Sequence, residues 1–487
     1  MPNSPRAVSG TPIEADRMTP YLWFLFVLLS TATLFDGFDS GMLSFAAPES
    51  RRSLEIDLSE WGFVNSVIRL GVWASFLFLL MADRFGRRNL MMVTVVGFGV
   101  FSGLTAFVTD KYQFMLCQFL ARLFLTAEYS LAVIMAGEEF PARHRGRAIA
   151  ILTSLATVGV MLMAKGVQPY ILLDDGQETN WLYDLGMGLV ATVQEFFGLH
   201  QDGEQWRALY VLAVFPLAFI VVLRLAMRET RRFEAVQADR KNDADSGRQI
   251  EFDEGSGRHA GSQQGAPATA RFGGLRAAMQ QAAIPWSREY RRRTAIVTLL
   301  WNSVHIVTGP SVVYYVIFAC ENLGLTPHTV GDIVFYGYFG GTAGHFVAAW
   351  LIDRIGRKKT CAGFYVLAAI SIAMLYQHST LFGQYFWMVS TVFSFGAANT
   401  ATHVYASELF PTEIRATGYA WTTNLTGRIT EVVTPTAIGL LILVVGISWS
   451  MTVVAVGPIL GAILVMKYAP ETMGLTLEEI QESFETD

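Results

Sequence analysis

Two carboxylates three residues apart, Asp36 and Asp39 in the stretch Leu34-Phe-Asp-Gly-Phe-Asp-Ser-Gly41, interrupt a run from Tyr21 to Ala47 that has no other charge. On a helix this spacing puts both acids on one face, and Gly37 between them lets a neighbouring helix approach closely. A carboxylate at bilayer depth costs about 2.5–3.5 kcal/mol on insertion scales, so such acids face partners or a water-filled path. Asp36 and Asp39 are therefore the proton-coupling candidates. Arg69 and Arg122 are available as partners, and a division of labour is expected in which one aspartate is held by an arginine and the other takes up and releases a proton.

The other ionisable groups inside apolar stretches are Arg69, Arg122, Glu128, Lys165, His305, His345, His403, Arg428 and Glu431. Arg122 and Glu128, six residues apart, cannot share a helix face closely, so each needs a partner elsewhere, whereas Arg428 and Glu431, three apart, can pair. Lys165, between Ala164 and Gly166, has no acid within one helical turn. It either holds a substrate carboxylate or snorkels toward the outer interface. Histidine titrates near neutral pH and can relay a proton. Asn399 and His403, four apart, line one surface, while His345 among Gly340, Gly341 and Gly344 suits packing. The substrate-binding candidates are Lys165, Arg122, Glu128, Tyr129, His305, Tyr314, Asn399, His403 and Arg428. Tyr129 and Tyr314, with Trp73, Tyr338 and Trp421, can stack on a ring, against the ordinary alternative of core packing.

The elements that must carry these groups are membrane spans. Of the 487 residues 52% are hydrophobic and 16% charged, against about 25% charged in soluble domains. At about 20 residues per span the chain accommodates about twelve helices, centred near Leu29, Gly71, Gly99, Thr126, Val158, Phe215, Val307, Gly340, Ala369, Phe395, Thr430 and Val456. Arginine and lysine clusters fall on alternate connections, around 84–88, 143–147, 228–232, 291–293 and 354–359. The positive-inside rule makes that side, and both termini, cytoplasmic. The apolar stretch 185–199 is too short and too interrupted for a further span and reads as an interfacial helix within a long external segment, 174–206.

The expected organisation is a cytoplasmic tail over 1–19, a six-helix bundle over 20–233, a partly disordered cytoplasmic linker over 234–292, a second six-helix bundle over 293–469 and a cytoplasmic tail over 470–487. An internal repeat supports the division. Met81-Ala-Asp-Arg-Phe-Gly-Arg-Arg88 recurs as Leu351-Ile-Asp-Arg-Ile-Gly-Arg-Lys358, and Glu138-Glu-Phe-Pro-Ala-Arg-His-Arg145 as Glu408-Leu-Phe-Pro-Thr-Glu-Ile-Arg415, each 270 residues further on.

These motifs resemble the major facilitator superfamily, over nearly the whole chain. The resemblance implies an all-α membrane protein with twelve transmembrane helices in two pseudo-symmetric six-helix bundles, working by alternating access. It also implies a cytoplasmic gate of Asp83, Arg84, Gly86, Arg87, Arg88, Glu138 and Arg145, with its twin of Asp353, Arg354, Gly356, Arg357, Glu408 and Arg415. In this gate the arginines pair with Glu138 or Glu408 in one state and release them in the other. The D-G-F-D stretch, and Gly427-Arg428 followed by Pro435, are similar to the aromatic acid/proton symporter branch. Pro470-Glu471-Thr472-Met473-Gly474 and Tyr314-Tyr315 resemble sugar porters, and Arg228-Glu229-Thr230-Arg231-Arg232 matches their sixth-helix motif in part. The paired glutamines of sugar porters are replaced by Asn302, His305 and Thr308.

The expected function is proton-coupled symport of a small organic anion, an aromatic or other carboxylate, with sugar or polyol uptake as the alternative and a non-transporting sensor as a remote one. No nucleophile, metal or phosphate-binding constellation points to an enzyme or a cofactor. Cys117, Cys320 and Cys361 have no paired spacing that would suggest a disulfide or metal site. The expected partners are the substrate, protons and the lipid bilayer, with no nucleic acid, for a chain that functions as a monomer in the plasma membrane.

Overall fold

The computed structural model describes residues 18–79, 86–174, 176–198, 204–229, 283–411, 414–475 and 479. Asp83, Arg84 and nearly all of the expected linker lie outside the described residues, as do the side chains of Arg145, Thr308 and Arg415.

The first half consists of α1 (Pro20–Ser53), α2 (Leu58–Leu79), α3 (Arg87–Thr105), α4 (Lys111–Glu139), α5 (Ala142–Leu162, prolonged by a π turn at Met163–Val167 into Gln168–Ile171), α6 (Trp181–Phe197) and α7 (Gln205–Arg224). The second half begins with α8 (Arg291–Ile317, ending in a π turn at Phe318–Asn322), α9 (Pro327–Ile355), α10 (Arg357–Gln377) and α11 (Leu381–Glu408). It continues with α12, from Arg415–Ala420 through a π turn at Trp421–Leu425 and a 3₁₀ turn at Thr426–Arg428 into Ile429–Val454. Gly446, at φ 74° and ψ 170°, breaks that last stretch. We take α12 to end there and α13 to run from 447 through Val456–Tyr468.

Side chains at the helix starts take up backbone N–H groups that the helix itself leaves unpaired. Asp110 accepts from Tyr112 and Gln113 at the head of α4, Asn180 from Leu182 and Tyr183 at α6, and Thr326 and Thr380 cap α9 and α11. The apolar stretch that begins at Leu185 falls in a helix of 17 residues, Trp181–Phe197. This helix, α6, sets Gly186 against Ala208 and Leu212 of α7 while Trp181, Leu185, Phe196 and Phe197 stay exposed.

Within the first half α1 packs on α5, and α4 on α2 and α3; within the second, α11 packs on α9 and α10, and α13 on α8 and α10. The halves meet where α2 lies along α12, α5 against α9 and α1 against α8. The first two of these seams exchange places under the 270-residue repeat. Polar contacts across the halves join Arg51 to Glu321, Ser66 to Thr436, Arg69 to Glu431 and Lys165 to Asp332. They lie at mid-depth or toward the end remote from the arginine-rich motifs.

Candidate functional site

Helix α1 presents its two acids to α4 because its other side is pressed against α5. A Cβ on Gly37 would lie 1.7 Å from the carbonyl oxygen of Ala156, so only glycine allows that approach. From α4, Arg122 Nη1 donates to Asp36 Oδ1 at 3.1 Å and lies 3.5 Å from Ser40 Oγ and 3.9 Å from Asp39 Oδ2. Asp36 keeps 24% of its side chain exposed and Asp39 only 5%. Asp39 Oδ1 is buried without a hydrogen-bond partner. One arginine thus serves two unequal acids.

The second half faces this trio with the broken part of α12. Where the π and 3₁₀ turns free backbone groups, Asn302 of α8 supplies replacements. Its Nδ2 donates to Thr426 O at 2.8 Å, and its Oδ1 accepts from Thr430 N at 2.9 Å. A broken helix at membrane depth is tolerated where such partners re-satisfy it, and π turns recur at functional sites. The break delivers Arg428, whose Nη1 donates to Glu431 Oε2 at 3.0 Å. Arg69 of α2 donates to the other oxygen of Glu431, joining the halves, and His305 Nδ1 lies 3.7 Å from Oε2. Trp301 stacks on His305 and meets His403 edge to face. His403 Nδ1 hydrogen-bonds the Tyr419 hydroxyl at 2.5 Å. Tyr129 is within electrostatic reach of both Asp36 and Arg428, and Arg122 within reach of Glu431, so acids and arginines of both halves form one cluster.

The structure brings Asp36, Asp39, Arg122, Tyr129, His305, His403 and Arg428 together, with half-buried Asn399 one turn before His403 on α11. Three other candidates lie elsewhere. Glu128 is buried against Arg224 of α7, 2.6 Å away. Lys165 is not free of acids, since Asp332 of α9 pairs with it from the opposite half. Tyr314 is buried and donates to Pro435 O at 3.1 Å. His345 meets Thr400 Oγ1 at 2.8 Å, in keeping with a packing position.

Arg51, Arg224, Glu321 and Asp332 were not singled out in the sequence. For Arg51 and Glu321 a signal exists, because they are 270 residues apart and so occupy equivalent positions in the two repeats. Their 2.5 Å contact lies on the axis that relates the halves.

The arginine-rich motifs follow the repeat closely. Arg87 reaches Glu138 at 3.2 Å and Arg357 reaches Glu408 at 3.0 Å, both within one half. Gly86 and Gly356 start α3 and α10 at φ 88° and 95°, where a side chain would be strained. Beyond these glycines, Glu229 accepts from the N–H groups of Arg87 and Arg88, and Glu471 from those of Arg357 and Lys358. Each carboxylate faces the positive end of a helix, which explains the chemistry shared by the Arg228-Glu229-Thr230 and Pro470-Glu471-Thr472 segments. Asp353 lies 3.4 Å from Arg357 and is largely exposed.

Comparison with known proteins agrees with this architecture. The family described as sugar (and other) transporter matches residues 28–484. The niacin transporter NiaP of Acinetobacter baylyi is 25% identical over 464 residues, covering 92% of this chain and 93% of that protein. The 4-hydroxybenzoate transporter PcaK of Pseudomonas aeruginosa is 26% identical over 427 residues, 84% of each. The gallate transporter of Pseudomonas putida is 25% identical over 433 residues, covering 85% of this chain and 83% of that one. Among solved structures, the xylose transporter XylE of E. coli in an inward open conformation superposes with a TM-score of 0.68 at 17% identity, covering 95% of this chain and 99% of the other. A bacterial homolog of the human lysosomal transporter Spinster gives 0.70 at 13% identity, covering 93% and 97%. The chain is a multi-pass membrane transporter, not an enzyme, and belongs to the sugar (and other) transporter family of the major facilitator superfamily.

Proposed function

We propose that the protein is a proton-coupled symporter of small aromatic carboxylates in the plasma membrane, with both termini in the cytoplasm. The observation that carries this reading is the apposition of the Asp36/Asp39/Arg122 trio with Arg428 and its aromatic neighbours. An acid pair that can load a proton faces a cation that can hold an anion. Relatives named for niacin, gallate and 4-hydroxybenzoate support the substrate class, since each of these compounds is a ring bearing a carboxylate. The sugar-porter-like segments do not weigh against it, because Glu229 and Glu471 cap helices near the arginine motifs, far from the cluster.

In this mechanism Asp39 is the titrating acid. Its unpartnered buried oxygen is an expensive place for a charge, and a proton removes that expense. Asp36, closer to Arg122, is the structural member. Arg428 receives the carboxylate while Tyr129 and Tyr419 offer faces to the ring. With the arginine motifs in the cytoplasm, the contacts Arg51–Glu321 and Lys165–Asp332 form the outer seam, and the motif pairs Arg87–Glu138 and Arg357–Glu408 belong to the gate on the other side.

The test is proton movement. Nicotinate, gallate and 4-hydroxybenzoate are added in turn to vesicles bearing the wild type, Asp36→Asn or Asp39→Asn, and external pH is followed. The wild type should alkalinise the medium with at least one of them and Asp39→Asn should not. Unchanged proton movement in both variants would falsify the assignment of the acid pair.

A further inference from the structure

Glu431 is a buried acid with no part in the symport cycle just described, yet it holds one arginine from each half. The charges around it can be counted element by element. Helix α1 brings Asp36 and Asp39, α2 Arg69, α4 Arg122, and α12 Arg428 and Glu431; none of the six side chains is more than 25% exposed. His305 of α8 and His403 of α11 stand beside them as rings engaged with Trp301 and Tyr419. Helix α2 joins the two ion-paired groups, since it packs on α4, where a Cβ on Gly71 would lie 3.2 Å from Arg122 Cβ, and on α12, where Arg69 meets Glu431. Among the described residues, the three arginines of this set balance its three carboxylates.

A net charge held away from water is costly, whereas a balanced set is tolerated. A monoanionic substrate added to the balanced cluster leaves it with one negative charge too many, and a single proton on the aspartate pair restores neutrality. We infer that Glu431 is the counter-charge that makes anion entry depend on a proton, and that it fixes the ratio at one proton for each monocarboxylate. Without Glu431 the cluster carries a spare positive charge, and the anion alone completes it. This rests on the aromatic carboxylate reading above.

The experiment counts protons on binding. Purified protein is titrated with nicotinate, gallate and 4-hydroxybenzoate by calorimetry in buffers of different ionisation enthalpy, across a range of pH. The wild type should take up one proton per anion and lose about tenfold in affinity for each pH unit above the proton site, as linkage requires. Glu431→Gln should bind the anion at least as tightly, take up none and show a flat pH profile. The pair Arg69→Gln/Glu431→Gln removes one charge of each sign and should recover proton uptake, which separates charge balance from damage to the fold. Proton uptake by Glu431→Gln equal to that of the wild type, or none in the paired variant, overturns the inference while leaving the carboxylate reading standing. A wild type that binds none of the three acids removes the carboxylate reading itself, and this inference with it.

Discussion

At the scale of single residues, Arg122 has the most demands on it. Its guanidinium is shared between Asp36 at 3.1 Å and Asp39 at 3.9 Å, with a buried Nε that has no hydrogen-bond partner. Removing one member of a buried ionic set costs about 3–5 kcal/mol, because the charge left behind has no partner. Arg122→Gln should therefore lower the thermal stability of the purified protein markedly. Adding Asp36→Asn and Asp39→Asn to that background should restore most of the stability without restoring transport. A loss of stability that the two asparagines leave untouched would mean that Arg122 serves packing through its aliphatic stem and not charge. The participants in this cluster were legible as types, since ionisable residues in apolar runs announce themselves. Their partners were less so. Lys165 has no acid within a turn on its own helix, and Asp332 reaches it from 167 residues away along the chain. Local spacing carries no information about such a pair.

At the scale of the element, the twelve spans and their division could be read from the chain because hydropathy and the 270-residue repeat are linear signals. The break in α12 could not, because it depends on what Asn302 does from α8. That side chain meets Thr426 O and Thr430 N across the interruption, and Gly427 allows Trp301 to close in behind it, a Cβ there falling 2.6 Å from Trp301 Cβ. Asn302→Ala leaves both backbone groups without their partner, at about 1–3 kcal/mol for each that stays dry. Arg428 sits at the end of this broken turn, so its aim should suffer with it. The expected outcome is a rise of at least tenfold in the substrate concentration for half-maximal uptake, with smaller loss in folding yield than Arg122→Gln. Unaltered uptake kinetics in Asn302→Ala would show that the break is held by the backbone alone. Two glycines that each sit against a neighbouring backbone carbonyl should behave differently. Gly37 contacts Ala156 within one half, whereas Gly439 lies against Ser59 of the other, a Cβ there falling 2.1 Å from Ser59 O. Gly37→Val should impair folding, and Gly439→Val should instead disfavour the arrangement in which α2 and α12 are closed.

At the scale of the whole molecule, the closed seam is held at one end by ion pairs that join the halves, Arg51 with Glu321 and Lys165 with Asp332. The motif pairs at the other end stay within a half. A rocking movement that opens the first end must break the first set, so these pairs bias the equilibrium between the two orientations without touching the cluster in the middle. Exposed ion pairs contribute about 0–1 kcal/mol, but the Arg51 and Glu321 side chains are only 14% and 24% exposed and meet on the pseudo-symmetry axis, where both halves converge. A bias of about 1.4 kcal/mol is tenfold in the ratio of the two states, so loss of such a pair is measurable. Arg51→Glu places two acids face to face and should shift the protein toward the state open at that end. A thiol-specific reagent that cannot cross the membrane reads this out on Ser66→Cys, introduced in a background lacking Cys117, Cys320 and Cys361. Ser66 is buried against Thr436 in the closed seam and becomes reachable only when α2 and α12 part. Labelling should rise about tenfold in Arg51→Glu and fall back in Arg51→Glu/Glu321→Arg, where the charges are exchanged but the pair is kept. Binding affinity for the substrate in the exchanged variant should match that of the parent, because the cluster at mid-depth is untouched. Labelling that rises equally in the single and the exchanged variants would assign the effect to the shape of the seam and not to its charges.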